Sequence, residues 1–304
     1  MRAGLLILMS AAATAVAEEA VRLSVDFNWD KSLEVTQSVD FRSEGLDKDG
    51  NSLGPGSGRT EFSLYELWTQ TCEQKAQPGG KPVIRRHYEK SQLTIGSDPP
   101  SATRTEDSEI LSEMDWSGRS TTPVLLKGNA SDSTIAILGR AGWEPARSLL
   151  PVAPMKPGTT ARNLDVGPFL RVSLASLCGT LGPTPEKIAE TYAKTLPQGA
   201  LPCWQAVGDG ELKLDGNIAT LVFTGKDVVD DHTPPTAIRG RGKGTFALKG
   251  RFVLNFVSHA PISIELEVDQ TIEYTPILAG APKTTKAVKL KESLKVVRRY
   301  GESK

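Results

Sequence analysis

The sequence contains few of the residues that most often bind transition metals or act as catalytic nucleophiles and bases. Histidine and cysteine occur only three times each in 304 residues. Lysine and arginine (36) balance aspartate and glutamate (36), so the chain lacks the positive charge typical of nucleic-acid binders. The nucleophile elbow, the HExxH helix and paired zinc cysteines are also missing. We therefore expect no cofactor, no nucleic-acid partner and no catalytic residue identifiable from a motif.

Long apolar runs are missing as well. At the N-terminus, Arg2 precedes a short apolar stretch at residues 5–9, and residues 15–17 (Ala-Val-Ala) have the small-x-small pattern of a cleavage site. This stretch is far shorter than the ~20 residues needed to span a bilayer, and charged residues interrupt every later apolar run. The pattern predicts a cleaved signal peptide at 1–17. It also predicts an exported protein, periplasmic or extracellular, that does not span the membrane.

Three cysteines allow one disulfide in such an oxidising compartment. Cys178 and Cys203 bracket a segment rich in proline and glycine that contains one predicted helix, so we predict that these two pair. Cys72 is then the unpaired thiol, and its strand-like surroundings predict burial.

Glycine and proline, in contrast, are plentiful (28 and 20 residues), which favours a chain with many turns over a helical bundle. From residue 21 onward, apolar residues alternate with polar ones, as in strands with one buried face. Residues 21–41 predict an opening hairpin with a turn at Asp30-Lys31. Further strand patterns occupy residues 60–73, 82–96, 101–116 and 133–139, and together they predict an antiparallel meander.

A proline-rich crossing at residues 146–168 is the predicted boundary between two halves, because proline cannot donate to a strand ladder. Residues 18–145 form the predicted N-terminal β-meander half. Residues 169–304 form a C-terminal half of a helix plus a long-stranded antiparallel sheet. The predicted fold class is mainly β (α+β): long antiparallel meander sheets, curved or half-barrel-like, with one or two helices packed on one face.

Two segments of the second half have helical patterns. Residues 169–177 place leucines at three- and four-residue spacing. Residues 185–196 follow Thr184, a candidate N-cap, and begin with Pro185 at the first helical position. Such helices are expected to lie on the sheet.

The last three strand patterns carry charges in a definite order. On the face opposite the apolar one, residues 239–243 are basic, residues 265–273 are acidic and residues 289–299 are basic. Between neighbouring antiparallel strands, each opposite-charge pair stabilises the sheet by about 0.2–1 kcal/mol. The charges therefore favour a sheet in which the acidic strand lies between the two basic ones.

One cluster of side chains is a candidate metal site. Asp227, Asp230, Asp231 and His232 bring three carboxylates and an imidazole close together, and such donors suit a divalent metal. An acidic loop ended by a proline turn is the alternative interpretation.

A groove for an apolar ligand is the second candidate site. Three glycines share one face of a predicted strand with a phenylalanine. Small residues in a strand mark a place where a helix or a bend comes close to the sheet, or where a groove is left beside it. The same Arg-Gly repeat lacks the interleaved aromatics of a nucleic-acid segment and the glycine spacing of a phosphate loop. Two residues of the predicted helix would face the groove. The six candidates are Gly240, Gly242, Gly244, Phe246, Ile188 and Tyr192.

The Pro151–Gly158 crossing, the Thr184–Leu196 helix and the Gly240–Tyr274 hairpin give the chain a recognisable layout. In this layout it resembles exported bacterial proteins of unknown function and the open half-barrel carriers of the lipoprotein- and lipid-binding periplasmic class. The resemblance implies non-catalytic binding of an apolar or amphipathic ligand such as a lipid. A structural or interaction module of the cell envelope, with an envelope protein as partner, is the alternative. A secreted metal-dependent hydrolase is a third hypothesis.

Overall fold

The structure is a computed structural model of the chain. It describes residues 19–26, 32–47, 49–52, 59–75, 81–114, 123–130, 135, 145–170, 173, 207–232, 240–276 and 288–302. Among these residues, no helix is long and apolar enough to cross a membrane.

Twelve strands of the described part of the chain form a single antiparallel sheet. In space their order is β6-β5-β3-β2-β1-β12-β11-β10-β9-β8-β7, with β4 paired to β3 beside this path. The sheet is open, with β6 and β7 at its two edges, and the predicted mainly β class is confirmed. The strands are β1 (Leu33–Leu46), β2 (Arg59–Gln74), β3 (Val83–Ile95), β4 (Ser101–Ala102), β5 (Glu109–Glu113), β6 (Val124–Lys127), β7 (Thr160–Asp165), β8 (Val207–Asp215), β9 (Ile218–His232), β10 (Gly240–Asn255), β11 (Ala260–Pro276) and β12 (Val288–Glu302).

The centre of the sheet is the pairing of its first and last strands. All 14 residues of β1 pair with β12, from Leu33 opposite Glu302 to Leu46 opposite Lys289. On its other side β1 pairs with β2. The two predicted halves of the chain therefore contribute to one continuous sheet.

The predicted opening hairpin is wrong, because both sides of β1 are occupied by β2 and β12. Residues 22–26 are not in a strand, and Val21 forms only an isolated bridge with Met155. Leu23 and Val25 are nevertheless buried, at 4% and 1% exposure. An extended segment lying over a sheet buries alternate side chains just as a strand does, so the alternation in the sequence does not identify the partner.

One face of the sheet is buried. Leu64, Val39, Val296 and Leu266 stand opposite one another on β2, β1, β12 and β11, and all four are fully buried. Similar apolar rows continue along the same strands, and we call this the covered face.

Two segments lie over the covered face. Residues 19–26 are held by backbone hydrogen bonds between Val21 and Met155 (2.8 and 2.9 Å). The Arg147 guanidinium donates to the Val25 carbonyl oxygen through two nitrogens, at 3.2 and 3.0 Å. Arg147 belongs to a short 3₁₀ helix, Pro145–Leu149, which lies in the predicted crossing.

A helical turn at residues 167–170 follows β7, which agrees with the start of the helix predicted at 169–177. The Asp165 carboxylate accepts a hydrogen bond from the Gly167 backbone N–H at 3.0 Å, as an N-cap does. Phe169 and Leu170 are both fully buried, so this turn packs into the core. The helix predicted at residues 185–196 lies outside the described residues.

The predicted strand order is confirmed, but the described basic side chains of β10 that form ion pairs are Lys249 and Arg251, since the side chains of residues 239–243 lie outside the described residues. The acidic strand β11 lies between β10 and β12 in antiparallel register. Ion pairs join β11 to both neighbours. They are Lys249–Glu267 (2.9 Å) and Arg251–Glu265 (3.2 Å) with β10, and Lys295–Glu265 (3.7 Å) and Lys289–Glu273 (4.0 Å) with β12. The hydrogen bond from Lys249 to Glu267 raises the pKa of that lysine.

The Glu265→Lys variant tests this pairing. Glu265 lies between Arg251 and Lys295, so reversal replaces two attractions with two repulsions. Because all three side chains are partly exposed, we expect a loss of only about 1 kcal/mol in the free energy of unfolding, measured with urea. Raising the salt concentration to about 1 M should reduce the loss, since screening acts on exposed pairs.

Glu211→Lys is the matched control. Glu211 is exposed on β8 opposite Val222 and forms no ion pair with a described residue. An equal, salt-insensitive loss in both variants would contradict a role for charge in strand order.

Candidate functional site

The predicted groove and the predicted metal site lie on neighbouring strands. Gly240, Gly242 and Gly244 are in β10, and the backbone of β9 carries the four candidate metal ligands. In the register of these strands, Gly242 is opposite His232 and Phe246 is opposite Asp227. The alternative interpretation, an acidic loop, is wrong for the backbone of these residues, because the structure places them within β9.

Several predicted site residues lie outside the described part of the chain. These are Cys178, Cys203, Ile188 and Tyr192, together with the side chains of Asp227, Asp230, Asp231 and His232. The disulfide, the metal site and the helical wall of the groove stay predictions. Among the described residues, no three metal-binding side chains come together. Cys72 is a free, half-buried thiol, and burial raises its pKa.

Phe246, the last residue of the predicted groove, is buried at 5% exposure on the covered face. It stands opposite Gln270 of β11, which in turn stands opposite Glu292 of β12. The Gln270 side-chain amide donates to the Glu292 carboxylate. Gln270 Oε1 is buried and accepts no hydrogen bond from a described residue.

A larger polar group interrupts the covered face on strands β12, β1, β2 and β3. It contains two arginines, one carboxylate and two amides around three aromatic rings, and every member is at most 3% exposed. We call it the arginine–tryptophan cluster. Its members are Gln37, Glu66, Trp68, Gln70, Arg86, Tyr88, Phe169 and Arg298.

Strand register brings the members of the cluster together. Gln37 of β1 is opposite Glu66 of β2 on one side and Arg298 of β12 on the other. Two residues farther along β2, Trp68 is opposite Tyr88 of β3, where a register shift follows Leu67. The ring of Phe169, from the helical turn after β7, lies 5.1 Å from the Arg298 guanidinium carbon.

Each arginine in the cluster is oriented by a glutamine. Arg298 donates through Nε and a terminal nitrogen to Gln37 Oε1, at 2.9 and 2.6 Å. Gln37 Nε2 then donates to the Glu66 carboxylate at 3.1 Å. Arg86 donates in the same bidentate way to Gln70 Oε1, at 3.1 and 2.7 Å. Because a guanidinium group has only donors, these contacts also determine which way both amides point.

Both guanidinium groups lie against the indole of Trp68. The Arg86 guanidinium carbon is 4.6 Å from the Trp68 ring centroid, and that of Arg298 is 5.5 Å from it. A cation over an aromatic face is stabilised by the ring quadrupole, by about 2 kcal/mol when both are desolvated. Trp68 therefore compensates part of the cost of burying two positive charges.

Tyr88 completes one side of the cluster. Its ring lies 5.7 Å from that of Trp68, and its phenol oxygen accepts a hydrogen bond from Arg86 at 3.3 Å. Burial raises the pKa of the phenol, so Tyr88 stays neutral and adds no negative charge.

Three buried polar atoms of the cluster form no hydrogen bond among the described residues. Trp68 Nε1 and Gln70 Nε2 are donors, and Glu66 Oε1 is an acceptor. Leaving a buried donor unpaired costs roughly 1–3 kcal/mol, and native proteins satisfy most such groups. The cluster therefore keeps unsatisfied hydrogen-bonding atoms of both kinds, donors and an acceptor.

Sequence reasoning missed both polar groups on the covered face, the arginine–tryptophan cluster and the Gln270–Glu292 pair. Most charged residues of each strand occupy the alternating positions that face outward. The few polar residues at the alternate, core-facing positions are therefore easy to overlook in the sequence. A signal was present, since Arg86 lies between Ile84 and Tyr88 in the alternation, and Arg298 between Val296 and Tyr300. A cation at a core position is unusual unless it is paired, and it marks a site.

No protein-family model matches the sequence, and no curated protein matches it. A structure that describes lipid–protein interactions in lipovitellin is 10% identical, with a TM-score of 0.41 over 91% of this chain; the chain spans 26% of the lipovitellin chain. An outer membrane channel from Pseudomonas putida F1 is 7% identical, with a TM-score of 0.19 over 94% of this chain and 98% of its own. A variant of the Rh. blastica porin is 8% identical, with a TM-score of 0.21 over 88% of this chain and 100% of its own. Because all three TM-scores are below 0.5, these similarities carry no argument about the function of this chain.

A double-mutant cycle tests whether the cluster acts as a unit. Arg298→Leu removes the two hydrogen bonds that Gln37 Oε1 accepts in the core, so we expect the free energy of unfolding to fall by about 3–5 kcal/mol. Gln37→Leu removes the partner amide, and the double variant should be less destabilised than the sum of the two by about 1–3 kcal/mol. Urea unfolding measures all three.

Arg299→Leu is the control, because Arg299 is the next residue and is exposed on the outer face. Its effect should stay within about 0.5 kcal/mol. Strict additivity of the Arg298 and Gln37 variants would show that the two side chains are not coupled.

Proposed function

We propose that this protein binds an apolar or amphipathic molecule, such as a lipid, on the covered face of its open sheet, without catalysing a reaction. The predicted export signal places this activity in the periplasm or outside the cell. The single observation that carries the proposal is the set of buried polar atoms on an otherwise apolar face. Gln270 Oε1, Trp68 Nε1 and Gln70 Nε2 have no hydrogen-bond partner among the described residues.

An amphipathic ligand suits this surface because it supplies both kinds of contact. Around Gln270 the covered face is apolar: Phe246 stands beside it, and Leu248, Val268 and Leu294 form the next row toward the centre of the strands. An acyl chain gains about 0.8 kcal/mol for each methylene removed from water. A hydroxyl or amide on the same molecule could donate to Gln270 Oε1 and remove the cost of its burial.

The outer face favours this function over an interaction module based on charge. Its acidic and basic side chains form ion pairs with one another within the sheet, as between Glu265 and both Arg251 and Lys295. A partner would have to compete with these pairs. The covered face, in contrast, carries buried polar atoms that have no hydrogen-bond partner among the described residues.

Ligand binding is tested on the full mature chain. Protein purified under mild conditions should release lipid on denaturation, detected by mass spectrometry, and delipidated protein should bind a fluorescent fatty acid saturably. Phe246→Asp puts a charge on the covered face and should weaken the affinity at least about tenfold. The absence of both co-purified lipid and saturable binding in the wild type would overturn the proposal.

Ala247→Asp provides the matched control. Ala247 is the next residue on β10 and is exposed on the outer face, so the same charge there should leave binding unchanged. Circular dichroism of each variant separates a loss of binding from a loss of fold. An equal loss of affinity in folded Ala247→Asp would contradict a site on the covered face.

A further inference from the structure

Residues 19–26, which we call the strap, cover part of the sheet without forming a strand of it. The side chains that the strap buries are Leu23 and Val25, and exposed or half-buried side chains alternate with them. Val21, near one end, forms only an isolated bridge, with Met155. A strand of the sheet is hydrogen-bonded along its whole length and buries more apolar side chains. The strap therefore has fewer contacts to lose than any central strand when it leaves the sheet.

The strap is attached to the rest of the molecule at both ends and in the middle. At one end, Val21 and Met155 exchange two backbone hydrogen bonds, at 2.8 and 2.9 Å. At the other end, the Asp26 backbone N–H donates to the His259 carbonyl oxygen at 3.1 Å. Arg147 holds the strap between these ends. All three partners come from segments far from the strap in sequence, so the strap is a separate layer over the sheet.

The two ends of the strap show which strands it crosses. His259 is in the turn between β10 and β11, and Met155 precedes residues 158–159, which are hydrogen-bonded to Leu212 of β8. Strands β9 and β10 lie between these two points in the sheet. The strap therefore crosses the ends of β9 and β10, where Phe252 of the covered face is fully buried.

The two most exposed large apolar side chains of the described residues lie beside the two ends of the strap. Val152 is 91% exposed and comes shortly before Met155, and Val257 is 60% exposed and comes shortly before His259. Single apolar residues on a surface are common, but here the two extremes flank one segment. An apolar molecule in solution therefore has side chains to contact at both ends of the strap.

Access limits binding to the covered face. Its central apolar side chains are fully buried, and the close packing of a protein interior leaves no room for a further molecule. A covering segment therefore has to move before a ligand can bind. Among the described residues, the strap buries two apolar side chains on this face, fewer than either residues 145–155 or residues 166–170. It is the covering segment that is easiest to displace.

We propose that the strap is the gate through which an apolar or amphipathic ligand reaches the covered face. The inference deepens the proposed function and rests on it. When the strap leaves the ends of β9 and β10, the apolar chain of the ligand takes the place of Leu23 and Val25 against the sheet. The ligand thereby replaces the contacts that the strap gives up. Binding consequently shifts the population toward the open state.

A reversible disulfide tests the gate on the delipidated full chain. Val21 and Met155 are a hydrogen-bonded antiparallel pair, whose Cα atoms lie about 5.5 Å apart, within reach of a disulfide. In Val21→Cys/Met155→Cys, oxidation should slow the association of dansyl-labelled undecanoic acid at least about tenfold, because the open state is no longer populated. Reduction should restore the wild-type rate.

Leu46→Cys/Ser52→Cys is the matched disulfide. Leu46 and Ser52 form the other isolated antiparallel bridge of the described residues, at the end of β1. Oxidation of this variant should leave the association rate unchanged. Both double variants carry Cys72→Ser, which removes the free thiol. Wild-type protein given the same oxidant and reductant controls for Cys178 and Cys203.

The exposed valines test where the ligand approaches. Val152→Asp and Val257→Asp each put a charge beside one end of the strap, and each should slow association severalfold. Val124→Asp is the control, because Val124 is 53% exposed on the edge strand β6 and lies on the far side of the sheet from β9 and β10. The same added charge at that position should leave the rate unchanged.

Hydrogen exchange measures the gate without a ligand. The Val21 and Asp26 amides should exchange through local opening of the strap, at least about a hundredfold faster than the slowest amides of the β1–β12 ladder. In oxidised Val21→Cys/Met155→Cys, the Asp26 amide should exchange more slowly than in the reduced protein.

Each contrary result has a distinct meaning. If wild-type protein does not bind the fatty acid, the proposed function is overturned. If it binds, and the oxidised Val21→Cys/Met155→Cys protein binds as fast as the reduced one, the proposed function stands and the gate is overturned. Strap amides that exchange only with global unfolding would overturn the gate whether or not a ligand binds. Equal slowing by the Leu46–Ser52 disulfide, or by Val124→Asp, would show that the effect is not specific to the strap and would overturn the inference.

Discussion

The pairing of β1 with β12 is the constraint on which the rest of the structure depends. Strands β2–β6 continue the sheet from β1, and β11–β7 continue it from β12, so this one ladder makes a single sheet of the two halves. The same ladder sets Gln37 opposite Arg298 and Val39 opposite Val296. A shift of β12 by one residue against β1 would move Val296 and Arg298 to the outer face. The register therefore determines both the core and the position of the buried arginine.

The arginine–tryptophan cluster spans this central ladder, and burying it has an energetic consequence. A buried guanidinium is tolerated only when hydrogen bonds and nearby charge compensate for the water it has lost. Gln37 does so for Arg298 from the neighbouring strand, and Gln70 does so for Arg86. Only one alignment of the four strands satisfies these contacts. The cluster thus contributes to the choice of register as well as to a site, as buried polar groups do in some other folds.

Much of the fold could be predicted from local patterns, and the failures have physical reasons. The β10–β12 strands were predicted because apolar alternation and the basic, acidic, basic order of charges agree, and both are local properties of sequence. The hairpin predicted at residues 21–41 was wrong because alternation reports burial and not the identity of the partner. The partners of β1 are β2 and β12, and β12 lies some 250 residues away. The cluster was missed because its members come from strands distant in sequence. No spacing rule links Arg86 to Arg298, and only the sheet brings them to one tryptophan.

The place of β1 in the sheet also bears on the order in which the molecule can be completed. During synthesis β1 is among the first strands made, yet one of its edges has no partner until residues 288–302 exist. Until then that edge exposes unpaired N–H and C=O groups next to apolar side chains, as the edge of an unfinished sheet does. A sheet whose central strand pair joins residues so distant in sequence is expected to form slowly. The centre of the sheet can therefore be assembled only after β12 has been made, and until then β1 is open to pairing with other unfinished chains.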